Sequence, residues 1–185
     1  MSNDKHTDIL VIGSGPGGYA AAFRAADLGR EVTLVDKDPT LGGVCLNRGC
    51  IPSKTLLHIS KVLEEAESLK KMGVTFTKPT IDIDLVRDWK NKVVSQLSGG
   101  IGQMAKARKV NTIQAEATFL SDNEVQLKSE SSTEKITFDH CIVASGSSSS
   151  IIPGIPFDNE NVLTSKTALD LKKIPKSLLV IGGGY

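Results

Sequence analysis

Cysteine is nearly absent from this chain, three among 185 residues, and that scarcity excludes a small secreted scaffold stapled by disulfides. It points instead to a reducing compartment, in which a disulfide that does form serves catalysis more readily than structure. Aromatic residues are also few, at 4%, so aliphatic and small side chains must fill the core. Long apolar runs are missing: none reaches the roughly 18 residues of a membrane-spanning helix. The polar opening, Met1 to Thr7, carries neither an apolar signal core nor an Arg-rich presequence. A cytoplasmic setting is the expectation. Nor does one sign of charge dominate, with 22 basic against 21 acidic residues. Nothing in that balance asks for nucleic acid or a membrane surface as a partner.

What the chain does have is glycine, 17 residues, placed where apolar runs end. Asp8 to Ile12 is a short apolar run that breaks at Gly13, and the Ala-rich stretch from Pro16 to Gly29 follows it. Glu31 to Asp36 is a second β-branched run, so the opening reads β-α-β, the unit of a parallel sheet. The fold class is α/β. From Ser53 to Met72 apolar residues recur at threes and fours and stop at Gly73, which predicts a helix. A second helix is predicted over 84–108, with Leu85, Trp89, Val93, Leu97, Ile101 and Met104 on its apolar face and a possible bend at Gly99, Gly100 and Gly102. Trp89 reads as the core anchor of that helix. Past Val110 three short runs, "TIQAEATFL", "EVQLKSE" and "KITFDHCIVAS", predict a small antiparallel meander. The serines at 147–150 with Pro153, Gly154 and Pro156 read as a linker, dividing the chain into a domain at 1–150 and an incomplete one at 151–185. The second part carries a short helix at 165–171 and an apolar strand at 177–181 that runs into Gly182-Gly183-Gly184.

The first glycine turn, Gly13-Ser14-Gly15-Pro16-Gly17-Gly18, fits G-x-G-x-x-G between a predicted strand and a predicted helix. Gly13 suits the tight turn, Gly15 the close approach of backbone to a pyrophosphate, and Gly18 the packing of helix on strand. The N-terminus of the helix offers free N–H groups and a positive dipole end to an anion. Asp36 follows Gly18 by 18 residues, near the separation of a ribose-binding acid, and its charge disfavours a 2′-phosphate.

Cys45 and Cys50 fall within "GGVCLNRGCIPSK". Three readings stand for them: unrelated buried thiols, half of a zinc site, or a redox pair. Zinc needs more ligands, and His58 is the single candidate within ten residues. Five residues on an ideal helix separate Cα atoms by about 8.6 Å, whereas a disulfide tolerates at most about 7 Å. A bond between the two therefore requires a distorted turn, which Gly49 can permit and Pro52 can help to break. Lys54, four residues after Cys50, would share its helical face and favour the thiolate. Arg48 could serve the same end or lie exposed.

The wording of this stretch resembles the redox-disulfide signature of the flavin-dependent pyridine nucleotide disulfide oxidoreductases. Its Leu-Asn-Arg and Ile-Pro-Ser-Lys are most similar to the branch that oxidises dihydrolipoamide; the glutathione and mercuric reductase branches, which more typically show Cys-Val-Asn-Val-Gly-Cys, are the alternative. The likeness continues through "DILVIGSGPGGYAAAFRAADLG", "AEATF", "IVASG" and "VIGGGY". It implies a Rossmann-like FAD-binding domain, a Cys45–Cys50 disulfide that takes electrons from a dithiol, and NAD⁺ as co-substrate. On matching positions, Gly13, Ser14, Gly15, Pro16, Gly17 and Gly18 would hold the FAD pyrophosphate. Asp36, where many relatives have Glu, would hold the ribose with Lys37 beside it. Gly42, Gly43 and Val44 would line the flavin, Val44 replacing a frequent Thr. Cys45 would exchange with substrate, Cys50 would face the flavin, and Lys54 would stand near its reactive nitrogen. Ala117 would meet the adenine, and Ala144, Ser145 and Gly146 would lie beside the FAD, Ser145 keeping the hydroxyl of a frequent Thr.

Gly182 and Gly184 would open a second G-x-G-x-x-G for NAD, whose third glycine would fall at 187, beyond Tyr185. The likeness thus implies a truncated chain that does not turn over NAD⁺ alone, because the acid-base histidine of the family lies in a later, dimer-forming domain. Lipoyl groups of 2-oxoacid dehydrogenase complexes or of the glycine cleavage system are the implied partners, and a homodimer the implied state of the longer protein. Cys141 reads as a core thiol. His6 and His140 read as surface or strand-end residues, and His58 as packing on its helix.

Overall fold

The computed structural model describes residues 5–183. Strand β1 (Lys5–Ile12), helix α1 (Pro16–Asp27) and strand β2 (Val32–Asp36) form the β-α-β unit, with β1 and β2 parallel from Ile9 opposite Val32 to Ile12 opposite Val35. Because side chains alternate along a strand, adjacent residues feed opposite faces. Val11 and Leu34 pack with Ala22, Phe23 and Ala25 of α1 on one side. Leu10 and Val35 pack with Val125, Leu127, Ile136 and Phe138 on the other. Both strands are thus buried on two faces, which accounts for their unbroken apolar reading.

Strands β3 (Asn111–Gln114), β4 (Glu116–Phe119), β5 (Glu124–Lys128) and β6 (Thr133–Val143) complete one sheet of order β3-β2-β1-β6-β5-β4. The pairs β3-β2, β2-β1 and β1-β6 are parallel, and β4-β5-β6 is the antiparallel meander. One detail departs from expectation. The run read as a single meander strand is cut at Ala115: β3 joins the parallel side beside β2, and β4 joins β5. No glycine or proline marks this cut. It is made by the Ala115 N–H, which donates to the Asp36 carbonyl at 2.9 Å, and by burial of the Ala115 methyl, so tertiary pairing overrides the local pattern.

Between β2 and β3 run α2 (Gly43–Arg48), α3 (Cys50–Ser68), a tight helical turn at Leu69–Met72 and α4 (Ile83–Ala107). Asp82 caps α4 by accepting from the N–H groups of Asp84 and Leu85 at 2.9 and 3.1 Å. Its glycines do not interrupt it. Its inward face differs in part from the predicted one: Ile101 packs on the core and Val93 is half-buried as expected, but Lys90, Ser98 and Ala105 are buried, while Leu85, Trp89, Leu97 and Met104 are exposed. Trp89 is therefore no core anchor; its ring lies 5.7 Å beneath the Lys92 ammonium. The cause is polar anchoring. Lys90 Nζ donates to the Leu169 carbonyl at 2.7 Å and Ser98 Oγ to the Leu41 carbonyl at 3.1 Å, which fixes the rotation of the helix.

The C-terminal part holds helix α5 (Ser165–Ala168), shorter than predicted, begun by a reciprocal Thr164–Thr167 cap. Residues 177–181 form no strand, in contrast to the expectation. Among the described residues no strand pairs with them, and Leu178, Leu179, Val180 and Ile181 are all exposed. A strand acquires its backbone partners from a sheet, and an apolar pattern cannot supply them. No helix among the described residues is long and apolar enough to cross a membrane.

Candidate functional site

The first glycine turn sits at the C-terminal end of β1, where Gly13 leaves the strand at φ +101°. Its N–H donates to the Val35 carbonyl at 2.7 Å, and the Ala144 N–H donates to the Ile12 carbonyl at 2.8 Å. A Cβ at Gly13 would lie 2.2 Å from the Ala144 carbonyl oxygen, and one at Gly18 would lie 1.7 Å from the Gly13 carbonyl oxygen. Neither position accepts any other residue without rebuilding the turn. Gly15 caps α1 without a side-chain partner, Pro16 occupies its first turn, and no acid stands in that turn. The first N–H groups of α1 are thus left for an anion.

Asp36 ends β2 against this turn. Both the N–H and the hydroxyl of Ser14, a fully buried residue, donate to its Oδ2 at 2.6 Å. The Asp38 N–H donates to Oδ1 at 2.9 Å. Burial pushes the Asp36 carboxyl up, but the bonds from Ser14 and Asp38 and the charge of Arg48 outweigh it and hold the group below its ordinary value. Lys37 is exposed, and its carbonyl accepts from Gln114 Nε2 at 3.4 Å.

The cysteines stand on either side of a break between two helices. Gly49 takes φ −145° and ψ −101°, ending α2 and letting α3 restart at Cys50, so the two Cα atoms come within 4.7 Å and a Cys45–Cys50 disulfide forms. The break falls at Gly49, where a Cβ would come 3.1 Å from the Val44 carbonyl oxygen. Pro52 lies in the first turn of α3, where its missing N–H leaves no bond unmade. Cys45 is half-buried and Cys50 exposed; Val44 is exposed beside them, and Lys54 is exposed one helical turn beyond Cys50.

This disulfide-bridged turn is fastened to the glycine turn by backbone. The Gly42 N–H donates to the Ser14 carbonyl at 2.9 Å, and a Cβ at Gly43 would lie 2.6 Å from the Gly15 Cα. Only hydrogen at the Gly43 α-carbon permits that approach. Asn47 Nδ2 and Ser98 Oγ both donate to the Leu41 carbonyl, at 3.2 and 3.1 Å, which holds the loop entering α2. Arg48 does not lie free: its guanidinium pairs with the Asp38 carboxylate. The sequence offered no signal for Ser98, whereas the Asp36–Asp38 spacing beside Arg48 could have suggested that pair.

The other candidate positions divide. Ala144 packs against the first turn, its Cβ 3.5 Å from where a Gly18 Cβ would stand. Ser145 and Gly146 follow it, exposed. Ala117 lies on β4 opposite Leu127. Gly182 is exposed with no atom within 4 Å of its Cβ position, so it does not join this cluster, and Gly184 lies outside the described residues. Cys141 is a free, partly buried thiol whose pKa burial raises, as expected of a core residue.

The profile of a family described as pyridine nucleotide-disulphide oxidoreductase matches residues 7–185. Among curated relatives, the chain is 47% identical over 184 residues to the dihydrolipoyl dehydrogenase of Vibrio cholerae serotype O1, covering all of this chain and 39% of that protein. It is 49% identical over 179 residues to the protein of that name from Bacillus subtilis, covering 97% of this chain and 38% of the other. The Haloferax volcanii protein of that name is 45% identical over 182 residues, with coverage of 97% and 38%. The chain thus spans about two fifths of the length of these relatives. Among solved structures, a Cu(II) complex of the HOCl-induced flavoprotein disulfide reductase RclA from Escherichia coli, a cysteine-to-serine mutant, superposes with a TM-score of 0.75 over 92% of this chain and 36% of that one, at 23% identity. That likeness is one of fold.

Proposed function

The chain belongs to the pyridine nucleotide-disulphide oxidoreductase family, and on that premise we propose that it is the N-terminal, flavin-binding part of an NAD-dependent dihydrolipoamide dehydrogenase. Residues 1–150 supply the FAD domain and 151–185 open the nicotinamide domain. The observation that carries the reading is the disulfide bridging α2 and α3, fastened through Gly42 and Gly43 to an uncapped helix N-terminus. A reducible pair and an anion cradle share one rigid frame.

The residues fit FAD. Gly13, Ser14, Gly15, Pro16, Gly17 and Gly18 would hold its pyrophosphate, where the uncapped first turn of α1 offers its free N–H groups and Gly15 carries no side chain. Asp36 would hold the ribose, Ala117, Ala144, Ser145 and Gly146 would line the nucleotide, and Lys54 would serve the flavin. When bound, the flavin supplies the two-electron carrier chemistry between a dithiol and a nicotinamide. The chain's own part is thiol exchange. A substrate thiolate attacks Cys45 Sγ, the Cys45–Cys50 bond breaks, and Cys50 leaves as a thiolate. The second substrate thiol then attacks the mixed disulfide, releasing Cys45 and the cyclic lipoyl disulfide. Two electrons have passed from substrate to the protein dithiol. The substrates are lipoyl groups of 2-oxoacid dehydrogenase complexes or of the glycine cleavage system, in the cytoplasm, and the longer protein works as a homodimer.

Dihydrolipoamide should raise the thiol count of the air-oxidised chain, measured after denaturation, from one to three, since Cys141 is the free cysteine and the other two are paired. Cys45→Ser should show two thiols before and after. FAD should stay with the unmutated chain through gel filtration. A count of three in the untreated folded protein, or loss of all visible flavin colour, would overturn the reading.

A further inference from the structure

Arg48 lies inside the ring closed by the Cys45–Cys50 disulfide, yet its charge is spent outside it. It is the last residue of α2, one position before the Gly49 break. Its guanidinium is partly buried against the Asp38 carboxylate, itself 22% exposed in its side chain. The Asp38 N–H in turn donates to Asp36 Oδ1 at 2.9 Å. Three bonded links therefore join the redox ring to the acid at the end of β2: disulfide to Arg48, Arg48 to Asp38, Asp38 to Asp36. The remaining contacts of the Asp36 carboxylate, from Ser14, belong to the glycine turn and not to the redox ring.

We propose that Arg48 is a positioning residue through which the thiol state of Cys45 and Cys50 sets the affinity of the adenosine end of the site. This rests on the reading of the site as a flavin-nucleotide cradle. With the disulfide closed, the two Cα atoms are held 4.7 Å apart across Gly49, and Arg48 is fixed at its end of α2, on Asp38. Reduction by a dithiol such as dithiothreitol moves two electrons and two protons onto the sulfurs while the reductant closes to its own cyclic disulfide. The ring opens, and the segment around Gly49, the one non-helical residue between α2 and α3, loses its covalent restraint. Arg48 then holds Asp38 less firmly, and Asp36 Oδ1 loses its fixed donor, leaving the carboxylate held at Oδ2 alone by Ser14. A preorganised acid binds hydroxyls more tightly than a mobile one, because less ordering remains to be done on binding. The oxidised chain is accordingly the tighter binder of the adenosine half. Linkage makes the effect reciprocal: adenosine-side occupancy favours the disulfide by the same factor.

ADP is the suitable probe, since it carries the adenosine and pyrophosphate but no ring to touch the sulfurs. Calorimetric titration of the unmutated chain should give a dissociation constant about five- to tenfold weaker after reduction, and ADP should shift the glutathione equilibrium of the disulfide by the matching factor. In Arg48→Met the ratio between thiol states should fall to about one while the disulfide still forms. Asp38→Asn, on the other side of the pair, should do the same, and Arg48→Lys should restore part of the ratio by keeping the charge without the fork. A merely structural role would change both dissociation constants and leave their ratio intact, which would overturn the proposal, as would equal binding to both states of the unmutated chain. Failure of ADP to bind either state would sink the proposal and the nucleotide reading together.

Discussion

Gly13 and Gly182 both end an apolar run, and both hold φ at +101°, yet their surroundings are opposite. A methyl group on Gly13 would strike the Ala144 carbonyl at 2.2 Å, whereas one on Gly182 would meet nothing within 4 Å. The run before Gly13 is a strand buried between two parallel neighbours. The run before Gly182 is exposed and unpaired among the described residues. The same positive φ is therefore common to both, and what separates an enclosed turn from a bare one is what closes around it: Ala144 just past the end of β6, Asp36 held by Ser14, and Gly43 set against Gly15. A glycine motif states where a chain can bend. The enclosure around the turn is built by other parts of the chain.

The comparison breaks most easily at Gly13. Gly13→Ala should destabilise the fold by about 2–5 kcal/mol, of which about 1–2 kcal/mol comes from an L-residue at left-handed φ and about 1–3 kcal/mol from forcing atoms into a filled space. FAD binding should disappear with it. Urea denaturation measures the first effect, and a loss under about 1 kcal/mol would mean that the Ala144 contact yields where the geometry says it cannot.

A smaller effect sharpens the contrast by removing what holds Asp36. Ser14→Ala deletes a buried hydroxyl donor to a carboxylate and should cost about 1.5–3 kcal/mol. The pH dependence supplies a second signature. Asp36 titrates in the folded protein below its ordinary value of 3.8, so the folded state binds fewer protons than the unfolded one through that range. Its contribution is complete at neutral pH and is lost as pH falls below about 4 through the depressed value. In Ser14→Ala the depression shrinks, so the acid limb of the stability curve should flatten. Equal slopes for the two proteins in that window would remove Ser14 as the cause.

The sequence made the β-α-β opening and the glycine turn at Gly13 to Gly18 legible because both are local: a period, a glycine and a spacing carry them. It also exposed the cysteine problem correctly, since an ideal helix could not bring Cys45 to Cys50, and Gly49 relieves it. What it could not show are choices made by distant partners. Ala115 divides β3 from β4 because Asp36 offers a carbonyl there. Trp89 faces outward because Lys90 and Ser98 find carbonyls on Leu169 and Leu41, and neither carbonyl leaves a trace in the spacing of apolar residues. Residues 177–181 have the composition of a strand and lack a ladder. Arg48 remained open between two roles until Asp38 appeared beside it.

Gly182 gives the smallest expected effect and the most direct test of this account. If the left-handed φ alone made the turn, Gly182→Ala would cost about 1–2 kcal/mol, as any L-residue does there. But among the described residues those flanking it make no ladder that would hold the chain to that φ, so the backbone can rotate to an extended conformation. The substitution should then change the unfolding free energy by no more than about 0.5 kcal/mol, the range of surface positions without special contacts. FAD affinity should be unchanged, because Gly182 does not join the cluster around Gly13. A cost comparable to that at Gly13 would show that the second turn is already packed, and the contrast between the two would fail at its weaker end.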